Sequence, residues 1–239
     1  MSELSDASFA ANDEVRAARR RAGRAIRDIG HAFIGRHATV EQIDRLSEVL
    51  EGITAELWPQ DRRSRIDVDL GVDREVDYPQ GRFTHDFDDR PVSGTASPYG
   101  LDLDLHRHGD EIEALVTLRS AHEGAPGRSH GGVVAALFDD VFGFVLGVIK
   151  QSAFTGELTI RYHAATPLFS ELACRVRLDH QDGRKIYLVG ELTERSSGTL
   201  IASAKATFIA VDPEMFARLT AERPPPPDEG QHDSDATTA

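Results

Sequence analysis

The segment SHGGVVAALFDDVFGFVLGVIK, residues 129–150, sets a histidine, two glycines and two adjacent aspartates into the longest apolar run of the chain. Ser129 is a good N-cap, so a helix is expected to begin near it. The first N–H groups of a helix have no intrahelical partner and sit at the positive end of its dipole. Gly131 and Gly132 carry no side chain to shield theirs, and bare donors of this kind can hold an oxyanion or polarise a carbonyl. Close backbone packing would call for the same two glycines. The aspartates need a reason of their own, because a buried carboxylate without a named partner costs stability. Asp139, set among Phe138, Val141 and Phe142, is expected to be partly desolvated, which would lift its pKa toward the range of a general base. It shares a helix face with Gly132, Ala136, Gly143 and Leu146, mostly small residues at spacings of three and four. Asp140 points about 100° away, so at most one of the pair faces a common site.

The spacing also constrains assembly. Asp139 lies eight residues beyond Gly131, a rise of about 12 Å along a helix. A base and an oxyanion donor that act on one carbonyl must both lie within about 3–4 Å of the reacting group. One helix cannot supply both to one substrate. If both roles hold, the helix N-terminus of one subunit meets the aspartate of another, and the chain is expected to form a homodimer with shared sites, with a tetramer also open.

The elements around this helix divide the chain into four zones. Residues 1–58 read as an N-terminal helical hairpin. Val15, Ala18, Ala22, Ile26, Ile29 and Phe33 form one stripe, and Val40, Ile43, Leu46, Leu50, Ile53 and Leu57 a second, opened by a capping box at Thr39 and Gln42. The arginines at 16, 19, 20, 21, 24 and 27 read as a solvated face on a packed hairpin, with an anionic partner as the other reading. Residues 59–98 read as a linker and loop with a possible strand in RIDVDLGV. In residues 99–212, LDLDLH and EIEALVTL alternate apolar and polar residues around a hairpin signal. Four more alternating segments follow the apolar helix, with QDG and SSG as turns between the last three. Residues 213–239, Pro-rich and then acidic, read as a C-terminal segment and disordered tail. A helix apolar nearly all round must be covered by the sheet that flanks it in sequence. The expected fold class is α+β: an antiparallel sheet wrapped around one central helix, the hotdog arrangement, with a helical extension before it.

Composition narrows the function classes. The 239 residues carry a net charge of -13, which argues against sequence-independent nucleic-acid binding. A single cysteine, Cys174, cannot form an intrachain disulfide and suits a reducing, cytoplasmic setting. The first residues lack the apolar core of a signal peptide. The run from Val133 to Ile149 approaches membrane-spanning length, but two central aspartates argue against a span. His106 and His108 have no carboxylate at a convincing ligand spacing, so no metal is expected. Nucleophile-elbow and phosphate-loop motifs are missing as well.

EGAPGRSHGGVVAALFDD, FTGELTIRYHAATPL and DGRKIYLVGEL together resemble the hotdog-fold acyl-CoA thioesterases, of the phenylacetate-pathway and thioesterase-superfamily-member types. The resemblance covers about Ser93 to Val211. It implies an acyl-CoA thioester hydrolase that needs no cofactor, coenzyme A being part of the substrate. Asp139 would activate water or attack the thioester carbonyl, and Thr155, sixteen residues later, would help hold the water. Gly131, with Gly132 beside it, would polarise the carbonyl, and His130 would shape the site. Many relatives carry Asn or Gln about six residues before the histidine, where this chain reads HEGAPG. Arg184 and Lys185, after the DG turn, are candidates for the phosphates of coenzyme A, with Arg161 and Lys205 behind them. Two other functions remain open: a non-catalytic acyl-CoA binder or sensor, and an enoyl-thioester hydratase on the same fold. The hairpin would either cap the acyl site, bringing Trp58 near substrate, or mediate assembly.

Overall fold

In the computed structural model, which describes residues 3–61 and 77–212, two helices precede the sheet, α1 (Glu3–Gly35) and α2 (Val40–Leu57). Strands β1 (Gly81–Phe83), β2 (Asp104–His108) and β3 (Glu111–Thr117) follow, then a 3-10 turn at Ser120–His122 and helix α3 (Gly131–Val148). Strands β4 (Ala153–Tyr162), β5 (Glu171–Asp182), β6 (Lys185–Glu194) and β7 (Leu200–Ala210) complete the order. All seven strands form one antiparallel sheet in the order β1-β2-β3-β5-β6-β7-β4.

The alternation along the strands decides what faces α3, because successive side chains point to opposite faces of a sheet. Ile112, Ala114 and Val116 of β3, Leu172, Cys174 and Val176 of β5, and Ile186, Leu188 and Leu192 of β6 are buried on the inner face. They join Val134, Leu137, Phe138, Val141, Phe142, Phe144 and Val145 of α3 in one core. By length and composition α3 could cross a membrane; here the sheet wraps it. One helix enclosed by an antiparallel sheet is the hotdog arrangement, in the α+β class.

The face of α3 not covered by the sheet lies under a stretch with no regular element, residues 84–103. That stretch is held by its own turns, among them Ala96 N–H to Asp88 O and Leu101 N–H to Val92 O, and it buries Asp88, Ser93, Ser97 and Leu101. Helix α1 docks on it. Arg16 and Arg20 both bond Asp88, Arg16 also reaches Asp86, and Arg19 pairs with Asp89. Burial works against the Asp88 charge, but Arg20, Thr95 and Arg16 outweigh it and hold the carboxyl below its usual range. At Gly23 a Cβ would lie within 2.4 Å of the Ala96 carbonyl oxygen, so only glycine allows this approach. The arginine face expected to be solvated is therefore partly spent on ion pairs to residues some seventy positions ahead.

Helix α2 has the expected capping box at Thr39 and Gln42 but buries none of its residues. Its apolar stripe, Ile43, Leu50, Ile53 and Leu57 included, stays exposed. Short β1 lies where a linker was expected. The strand expected in RIDVDLGV and the C-terminal tail both fall outside the described residues.

Candidate functional site

The start of α3 is built differently from the expectation. The N-cap is His130, not Ser129: its Nδ1 accepts the Gly132 N–H at 3.0 Å. Ser129 is instead tied into the preceding bridge, its N–H bonded to Thr166 O at 2.9 Å. Tyr162 of β4 donates its hydroxyl to Gly131 O at 2.7 Å. The peptide joining Gly131 to Gly132 is thus held at both ends, its carbonyl by Tyr162 and its N–H by His130. Gly132 is no free donor. The Gly131 N–H has no hydrogen-bond partner among the described residues and remains available at the positive end of the helix.

Further along α3, Thr155 donates its hydroxyl to Asp139 Oδ1 at 2.8 Å. A bulge makes this contact possible. Thr155 pairs with Phe208 and Glu157 with Thr207, so Gly156 is the extra residue. Bulges re-aim side chains in this way, and Thr155 is left on the inner face beside the helix. Asp139 is exposed within the single chain, and the desolvation expected for it falls on Asp140. Burial raises the Asp140 carboxyl above its usual range, while Ser93 and the guanidinium of Arg90 pull it down. Asp140 Oδ2 is buried without a hydrogen-bond partner. Arg90 itself lies over the Phe87 and Phe144 rings, at 4.3 and 5.1 Å from their centroids. Nearby, burial and then Arg90 push the His85 imidazole down to about 4. Arg90 and Ser93 escaped the sequence reading; their only signal was an arginine and a serine inside a stretch otherwise full of turn residues.

Between α1, residues 91–101 and the first turns of α3 lies a cavity of about 490 Å³. Ile26, Val92, Leu101, Val133 and Ala136 give it apolar walls, and His130 and Gly132 stand at its α3 end. Two more imidazoles line it: His31 and His122 meet edge to face, with centroids 4.7 Å apart. Both accept backbone N–H groups through Nδ1, His31 from Ala121 and His122 from Arg119, each at 3.0 Å. Burial lowers the pKa of both, and with His31 and Arg119 beside it His122 falls to about 4. Trp58, 54 % exposed, is not among the lining residues.

Arg184 and Lys185 sit on the β5–β6 turn, at the end of the sheet where Thr155 lies. Lys185 is opposite Ile209, which is opposite Phe154, one position from Thr155. Lys185 alternates with buried Ile186 and so projects from the outer face, away from Asp139. Arg161 and Lys205 also lie on that outer face, beside Ser203 and Val189. Among the described residues no group of three or more His, Cys, Asp or Glu side chains is placed to hold a metal ion.

Residues 127–201 match the family model of the thioesterase superfamily. The chain is 28 % identical over 117 residues to acyl-coenzyme A thioesterase THEM4 of Bos taurus, covering 48 % of each chain. To the THEM4 of Mus musculus it is 33 % identical over 92 residues, 38 % of this chain and 40 % of that one. It thus spans about half the length, or less, of the curated relatives it matches. A crystal structure of a thioesterase superfamily protein superposes with a TM-score of 0.67 at 26 % identity, over 80 % of this chain and 94 % of the other. Fold and sequence agree: the domain built around α3 has the hotdog fold, and residues 127–201 within it match the thioesterase superfamily model.

Proposed function

We propose that this chain hydrolyses acyl-CoA thioesters, R–CO–S–CoA and water giving the free acid and the thiol of coenzyme A. The observation that carries the reading is the Asp139–Thr155 pair. Thr155 occupies one carboxylate oxygen and fixes the side chain, while Oδ2 makes no hydrogen bond among the described residues and can receive a proton from water. As the water oxygen adds to the thioester carbon, Asp139 takes its proton; as the C–S bond breaks, that proton goes to the departing thiolate. Direct attack by the carboxylate on the carbonyl uses the same geometry. The Gly131 N–H is the donor for the developing oxyanion. It is about 12 Å of helix away from Asp139, so the donor in each site comes from a second copy. The outer edge of β4, at the end of the sheet, supports a dimer that brings the two together. The acyl-coenzyme A thioesterase names of the two relatives point to the same substrate class. Arg184, on the β5–β6 turn, is the cation we assign to the coenzyme A phosphates, in preference to Lys185, which projects away from Asp139. The chemistry requires neither metal nor cofactor.

Thiol release from a panel of acyl-CoAs tests this. Asp139→Asn is expected to lower kcat at least ~100-fold, and Thr155→Ala about tenfold, ~1.4 kcal/mol of barrier. Turnover by Asp139→Asn within threefold of wild type would overturn the reading.

A further inference from the structure

Resting on the hydrolase reading, we propose that helix α1 is one wall of the acyl-binding site: the cavity it encloses with residues 91–101 and α3 receives the acyl group, and that group is uncharged and apolar. Position is the first ground. The cavity reaches His130 and Gly132, so a thioester carbonyl at the Gly131 N–H has its acyl carbon chain at the cavity mouth, with Ala136 one turn further along the wall. Its volume of about 490 Å³ lies within the ~300–1,000 Å³ of small-ligand pockets.

The second ground is the chemistry of the walls. Arg27 is the one cationic side chain that lines the cavity among the described residues, and it is 6 % exposed. Its two terminal nitrogens are committed to Thr95 O, Ser97 O and the Asp102 carboxylate, which already neutralises its charge. The imidazoles of His31, His122 and His130 all accept backbone N–H groups through Nδ1, and burial holds the pKa values of His31 and His122 below their usual range. A carboxylate at the end of an acyl chain would lose its hydration here and gain no counter-ion.

Third, α1 is a fixed wall. The ion pairs to Asp86, Asp88 and Asp89, the contact of Gly23 with Ala96 and the pair of Asp28 with Arg119 at 2.9 Å tie it along its length. Gly30 on this wall has open space around it: a Cβ there meets no atom within 4 Å.

Gly30→Leu and Ala136→Leu narrow the cavity from opposite sides and test the proposal, with near-UV circular dichroism as the check on folding. For thiol release, the expected result is a loss of at least tenfold in kcat/KM for decanoyl-CoA, with butyryl-CoA within twofold of wild type. Equal losses on both substrates, or none, would overturn it, and so would a wild-type preference for glutaryl-CoA over hexanoyl-CoA. Calorimetric binding of the non-hydrolysable thioethers S-decyl-CoA and S-butyl-CoA keeps the two readings separate. If wild type releases no thiol, hydrolysis falls. The cavity assignment then stands only if wild type binds S-decyl-CoA at least tenfold more tightly than S-butyl-CoA and both leucine variants erase the difference.

Discussion

Between Asp139 and Asp140 the backbone turns by about 100°, which carries one carboxylate to solvent beside Thr155 and the other under Ser93 and Arg90. Helical periodicity shows that the two must part company, but not which of them is buried. The burying residues come from a segment some fifty positions earlier, and nothing local marks that contact. The environments set opposite expectations for the same substitution. The Asp140 carboxyl is raised above its ordinary value, burial being the leading cause. Its ionisation therefore opposes folding, and the penalty grows as pH rises from the unfolded value through the raised folded one. Asp140→Asn removes that penalty at pH 7 while keeping the side-chain shape. A melting temperature equal to wild type or a few degrees higher is expected, ~1 kcal/mol, with thiol release retained. A large fall in melting temperature at pH 7 would show that the charge is needed against Arg90.

The start of α3 and the docking of α1 show how far local rules reach. The apolar run and its glycines made the helix legible to within a residue or two. Its cap was not, because Ser, Thr, Asp and Asn lead the N-cap ranking and here an imidazole takes the role. In α1 the helix was legible and the use of its arginines was not, since the aspartates that meet them lie in a loop that reads as solvent-facing. The contact of α1 with Ser120–His122 makes a second expectation. His122 is neutral in the fold down to about pH 4 but has an unfolded value of 6.5. As pH falls below 6.5 the unfolded chain takes up a proton that the folded chain refuses, so stability drops between about pH 6.5 and 4 and levels off below. Thermal melts across this range should show a falling melting temperature, and His122→Gln should flatten the slope. Some slope will remain, because His85 is depressed to about 4 as well. A slope identical to wild type would mean that His122 is not held neutral.

At the scale of the whole molecule, the α+β class and the hotdog enclosure were readable because strands such as β3 and β6 alternate cleanly and only one helix is apolar on all sides. The sheet order was not, nor was the three-residue β1, which is too short to carry a pattern. The proposed sharing of sites between subunits rests on helix length and is open to a direct test. Gly131→Pro removes the N–H at a first-turn position where proline is tolerated, and Asp139→Asn removes the base. Each variant alone should be nearly inactive. Co-refolded in equal amounts, half of the dimers are mixed and each of these has one intact site of two, so about a quarter of wild-type activity should return. No recovery in confirmed mixed dimers would place both groups in one subunit's site.

The outer edge of β4 has one further consequence. Ten residues long and free of proline, it presents a row of backbone donors and acceptors that any passing extended segment can read. If the proposed dimer covers this edge, dilution below its dissociation constant uncovers a growth surface, so colloidal stability should worsen on dilution and improve again on concentration, the reverse of the usual advice for keeping a protein clear of aggregates.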